Sequence, residues 1–124
     1  MELLTKLAWT LLALIHVPPA AVVAAPRLVA RLYGSESAGD LGVLLVHRGV
    51  LFVAMVAACC FAAFDPPARR ASSVIVAISV VGFLALYLQS GLRAGPLRTI
   101  ALVDAVALGP LAWVVFDAWQ SDAP

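Results

Sequence analysis

The chain has 124 residues, 64% hydrophobic and 12% charged, with 8 Lys and Arg against 7 Asp and Glu and a formal net charge of +1. One domain's length with about half the usual charged share, and a mean hydropathy of +1.04, points to an integral membrane protein. No clustered basic face is available, which excludes a nucleic-acid partner.

Four apolar segments stand out when loops are read from charge, proline and glycine, at about residues 3–25, 41–64, 72–92 and 97–119. A helix rising ~1.5 Å per residue needs about 20 residues to cross a hydrocarbon core of ~30 Å, and each segment meets that length. The alternation and turn spacing of a membrane β-barrel are missing. The sequence predicts an all-α fold: a four-helix transmembrane bundle in a single integral membrane domain over residues 1–124.

The first span carries Pro18 and Pro19 within HVPPAAVV. Proline removes a backbone donor and clashes one turn back, which predicts a bend or loosening within one turn of Pro18, near Ile15 and His16. Neighbouring helices can satisfy carbonyls freed in this way. The same run has the outline of a signal peptide ending in VVAA, but His16 and the proline pair favour an uncleaved span. Next, PRLVARLY sets Arg27 and Arg31 four residues apart. That spacing predicts a short interfacial helix within residues 26–33, with Tyr33 as its anchor. SESAGD follows as a solvated loop.

The second span places His47 and Arg48 side by side in LLVHRGVLF. Farther along, Ala54, Ala58 and Ala62 recur once per turn, a stripe that predicts a close packing seam. Cys59 and Cys60 are adjacent, so on a helix their side chains diverge by about 100° and cannot bridge. They read as small packing residues, with a thiol sensor or one end of a metal site as sharper alternatives. DPPARR is a tight turn into the third span, which closes with Tyr87, Gln89 and Ser90. SGLRAGPLR leads into the fourth, which carries Asp104.

An even number of spans puts both termini and the DPPARR turn on one side, called side A. Side B holds the first connection and SGLRAGPLR. His47, Arg48 and Asp104 lie about two turns into their spans from side B. His16 is about nine residues from the side B end of its span. The other half is filled by AWTLL, AMVAACCF, VIVAISVV and LAWVVF, so the polar groups converge in one leaflet. A charge in hydrocarbon costs several kcal/mol or more unless it is paired or wetted, so such residues face the bundle interior. At matched depth Arg48 and Asp104 are expected to form an intramembrane ion pair, with His47 and His16 completing the cluster.

That cluster admits several readings. It is a structural clasp, with Arg48 partly snorkelling, or the floor of a ligand pocket. Two intramembrane histidines, His16 and His47, could also ligate a haem, although no CxxCH attachment motif is present. A His–Asp pair could act as acid and base. The sequence has no phosphate loop, GxSxG or HExxH, so no catalytic residue, metal site or further cofactor is assigned. The candidate ligand-binding residues are His16, His47, Arg48, Tyr87, Gln89, Arg98 and Asp104.

The ordered landmarks LYG (32–34), LLVHRGVLF (44–52), AAF (62–64) and LRTIALVD (97–104) resemble a family of small uncharacterised four-span bacterial inner-membrane proteins. The resemblance covers most of the chain. It implies a four-span bundle and a bacterial inner (cytoplasmic) membrane, implies no activity, and singles out His47, Arg48, Arg98 and Asp104.

The leading functional expectation is a binding protein whose side B leaflet holds a polar-floored pocket for a small amphipathic or lipidic ligand. The second is a non-catalytic accessory subunit of a larger membrane complex, and the third a membrane enzyme using His47 with Asp104. Expected partners are membrane lipids, such a ligand, and a second copy or a larger complex. Arg27, Arg31, Arg93 and Arg98 on side B outnumber Lys6, Arg69 and Arg70 on side A by one, a small excess that favours side B as the cytoplasmic side. Dual insertion as an antiparallel homodimer is the competing reading of so small a bias. Epitope tags at both termini should then be reached only from the non-cytoplasmic side, and labelling from both sides would mark dual insertion.

Overall fold

Among the described residues, runs of alanine, leucine and valine punctuated by proline, glycine and charge fold into five α-helices. They are α1 (Glu2–Ala21), α2 (Leu28–Tyr33), α3 (Gly39–Phe64), α4 (Arg69–Ser90) and α5 (Pro96–Gln120). A computed structural model describes residues 1–36 and 38–120, and among these no strand occurs. Four of the helices, all but α2, are long and apolar enough to cross a membrane. The expected four-helix bundle with a short helix after the first span is the observed architecture.

The boundaries differ where proline acts. α1 stays helical through Pro18 and Pro19 but ends at Ala21, four residues short of expectation, and weaker turn bonds such as Val23 N–H to Ala20 O follow. Pro18 and Pro19 have no N–H to give to Leu14 O and Ile15 O, which loosens the turn before them, and Pro26 bars a helix from continuing past Ala25. At the other turn, Pro66–Ala68 forms a single 3-10 turn that feeds directly into α4, so this helix starts at Arg69 rather than Ser72. α2 closes on Gly34, whose φ of 68° lies in the left-handed region that glycine enters without a Cβ penalty.

The helices pack in the ring order α1, α3, α4, α5, with α3 seated far more closely on α1 than on α4. Trp9, Leu12, Cys59, Val76, Val80 and Val114 form the centre of the core. Large aliphatic side chains such as Leu14, Val43, Ile78, Leu86 and Val106 point outward, while the interior of α3 is made by Gly42, Gly49, Cys59, Ala62 and Ala63. Small residues inside and large apolar ones outside suit a bundle surrounded by lipid, where close backbone approach replaces hydrophobic expulsion as the source of helix association. The Ala54–Ala58–Ala62 stripe is only partly a seam. Ala62 is buried, Ala58 half-buried and Ala54 exposed, because a strict four-residue step drifts off the contact face of a helix with 3.6 residues per turn. Cys59 packs in the core, whereas Cys60 faces outward.

Side A is not the apolar half that the sequence suggested. Buried Arg69, at the start of α4, donates to both oxygens of Glu2 on α1, at 3.0 and 2.7 Å. Its Nε donates to Ala62 O of α3 at 3.0 Å, and Asp117 near the end of α5 lies 3.7 Å away. One guanidinium therefore ties together all four spanning helices. Around it, Arg70 Nε donates to Ala118 O, Trp113 to Thr5 Oγ1 and Trp119 to Ser73 Oγ. A bidentate Arg–carboxylate fork is the strongest arrangement of its kind. Arg69→Met should therefore lower stability in detergent by about 2 kcal/mol, read as an earlier thermal midpoint. Glu2→Gln, which keeps one acceptor at a half-open site, should lower it less.

Candidate functional site

The side B half holds a cavity of about 210 Å³ whose walls come from α1, α2, α3, α4 and α5. It exists because the elements cannot close there. α1 gives out after its prolines, α2 lies across the end, and α3 and α4 diverge from their turn. Near that turn the two are joined by Ser72 Oγ donating to Ala58 O at 3.2 Å and by the Arg69–Ala62 bond. Toward side B the seam opens into a groove of about 350 Å³ lined by Leu51, Met55, Ile78, Gly82 and Leu86. Arg48, Phe52, Ser79 and Phe83 belong to both the cavity and the groove.

Arg48 is the central group. Its guanidinium carbon stands 5.8 Å from the ring centre of Tyr33, 5.2 Å from Phe52 and 5.7 Å from Phe83. Three rings from α2, α3 and α4 surround one cation, each such contact being worth about 0.5–2 kcal/mol depending on desolvation. Its Nε is buried and makes no hydrogen bond, and the hydroxyl of Tyr33 is likewise buried and unpartnered. Tyr33 thus turns its phenol inward onto the cavity instead of anchoring α2 in the interface. The next residue explains the position of α3. A Cβ on Gly49 would stand 3.2 Å from Pro19 O and from Val23 Cγ2, so only glycine lets α3 seat this closely on the frayed end of α1.

His16 is buried, its Nδ1–H donating to Leu12 O at 2.6 Å and its ring stacked on Phe52 with centres 5.7 Å apart. In a neutral ring this tautomer leaves Nε2 as an acceptor. Asp104 and Thr99 of α5 line the cavity with it.

The structure thus brings three of the sequence-derived candidates, His16, Arg48 and Asp104, to one cavity. The expected Arg48–Asp104 ion pair is not formed: no nitrogen of Arg48 comes within 4.0 Å of an Asp104 oxygen. Both line the same space and their charges act on each other across it, but the groups packed directly on the Arg48 guanidinium are aromatic faces. His47 is exposed on the outer face of the bundle, because adjacent helical residues diverge by about 100° and Gly49 and Arg48 fix which face turns inward. His16 and His47 therefore do not face one space, and neither do His47 and Asp104. Gln89 is exposed at the side B end of α4. Tyr87 and Arg98 line a separate shallow groove with Arg93. Among the described residues no group of His, Cys, Asp and Glu is placed to hold a metal ion.

Comparison with family models, curated proteins and solved structures finds no match. The site is therefore read from its chemistry alone.

Sequence reasoning missed Phe52, Phe83, Ser79, Thr99 and Gly49. Phe52 was within reach, since it follows Arg48 by four residues and shares its helix face; Phe83 and Thr99 carry no comparable local signal. The two glycines make a paired test of the packing. Gly49→Leu should cost about 1–3 kcal/mol in detergent by wedging α3 from α1. Gly82→Ala, whose Cβ would meet nothing within 4 Å, should leave the thermal midpoint unchanged or raise it, by up to about 1 kcal/mol of helix propensity.

Proposed function

We propose that this chain is an integral membrane binding protein that holds a small amphipathic or lipidic ligand in its side B cavity. One observation carries the reading: the guanidinium Nε of Arg48 and the hydroxyl of Tyr33 are both buried, both unpartnered, and both on the wall of one cavity. Buried donors are nearly always satisfied in folded proteins, and each one left unmet costs about 1–3 kcal/mol, so two around one space imply a polar guest. The rest of the lining is mainly apolar, with Ile15, Pro18, Leu32, Phe52, Ile100 and Val103. An apolar cavity with a few converging polar groups is the usual form of a small-molecule site between bundle helices. The landmarks from Leu32 to Asp104 support a bacterial inner membrane as its location. Surrounding lipids are then the nearest source of the ligand.

The test is native mass spectrometry of the protein extracted with its own lipids. The wild type should retain a discrete amphipathic adduct, one per chain, reduced about tenfold or more in affinity by Arg48→Met. Identical adducts on wild type and Arg48→Met would overturn the reading. So would a wild type that retains none and leaves the membrane only with a larger complex, which is the behaviour of an accessory subunit.

A further inference from the structure

Resting on that reading, we propose that the ligand is a lipid with a zwitterionic head. Its phosphate or carboxylate would sit on Arg48, its ammonium would face Asp104, and its acyl chain would leave sideways through the α3–α4 groove.

Size comes first. A cavity of about 210 Å³ falls below the ~300–1,000 Å³ of sites that enclose a whole drug-sized molecule. It admits a polar head but not a head with its hydrocarbon. The tail must therefore leave, and the way out lies where Phe52, Ser79 and Phe83 form the boundary that the cavity shares with the groove. That groove is lined almost wholly by apolar side chains and opens on the outer face between α3 and α4, which a bilayer would cover with acyl chains. Gly82 lies in it without a side chain and with nothing within 4 Å of where a Cβ would stand. Backbone is thereby left low where a chain would lie.

Charge decides the class of head. The guanidinium of Arg48 is a cationic group with donors and no acceptor, and its buried Nε and the Tyr33 hydroxyl are donors suited to an anion. Asp104 stands on the same cavity beyond bridging distance, so neither charge neutralises the other by contact. A purely anionic head would satisfy Arg48 but bring a second negative charge beside Asp104 in a low-dielectric space, where Coulomb forces are many times stronger than in water. A head carrying both signs matches each wall and leaves the occupied cavity neutral. Among the described residues, the side chains lining this space include one further titratable group besides Tyr33, the His16 ring; Ser79 and Thr99 add hydroxyls that serve either sign.

The experiment compares two probes with the same acyl chain, lysophosphatidylethanolamine and lysophosphatidic acid, titrated against the full chain in detergent by native mass spectrometry. The wild type should favour the ethanolamine lipid by about tenfold or more, equivalent to about 1.4 kcal/mol. Asp104→Asn should erase or invert that preference, Arg48→Met should weaken both lipids, and Gly82→Leu should weaken both while preserving their ratio. Equal affinities, or a preference for lysophosphatidic acid in the wild type, would overturn the zwitterionic assignment, and neither measurement depends on a variant folding. Unchanged binding in a folded Gly82→Leu would overturn the lateral path. Those failures leave the binding reading intact if the native adduct still depends on Arg48; loss of that dependence removes the reading itself.

Discussion

A guanidinium cannot be left bare in a low-dielectric interior, and the two halves of this bundle differ in how each meets that constraint. At side A, Arg69 is tied down: Glu2 grips it in a bidentate fork, Ala62 O accepts from its Nε, and Asp117 stands nearby. Every donor so used fastens a helix, and that end is closed. At side B, Arg48 is stabilised by three ring faces instead. Aromatic faces stabilise a cation without consuming its N–H groups, because a ring quadrupole attracts the cation as a whole. The charge is thus tolerated while hydrogen-bonding capacity is kept. The same residue type makes a clasp at one end and the polar wall of a cavity at the other.

The open end follows from backbone chemistry as much as from side chains. α1 ends early, at Ala21, just past Pro18 and Pro19, Gly49 lets α3 seat on that end, and the tight α3–α4 turn holds these two helices together near side A. With α3 committed to α1, its seam with α4 cannot close along its whole length. The cavity and the groove beside it are two consequences of that one asymmetry. α2 completes the enclosure by turning Leu32 and Tyr33 inward and ending at Gly34, which packs beside Pro96 at the start of α5.

Under the proposed binding reading, function lies in a contrast of packing density. A head-sized polar space adjoins an apolar groove that reaches the outer surface, so a ligand with one polar and one oily end is matched at both ends. His16 shapes the wall through its bond to Leu12 and its stacking on Phe52, which fix its ring orientation.

Composition and hydropathy alone determined the four spanning helices, the short helix after the first and the turns between them, because spanning length and proline or glycine punctuation are local properties of a chain. Residue counting also placed Arg48 and Asp104 at matched depth, with His16 somewhat deeper in the same leaflet, since depth along a helix is a count of residues. Azimuth was another matter. The divergence of about 100° that separates Cys59 from Cys60 equally separates His47 from Arg48, yet which of the two faces inward depends on Gly49 meeting Pro19. The Arg69 clasp was partly legible, because Glu2, Arg69 and Asp117 must share one level in an up-and-down bundle of four. That Arg69 turns inward from a turn-like DPPARR was not, and neither was the separation of Arg48 from Asp104. Only the tertiary structure decided these points, because facing and partnership are set by contacts among helices far apart in the chain, and no local pattern records them.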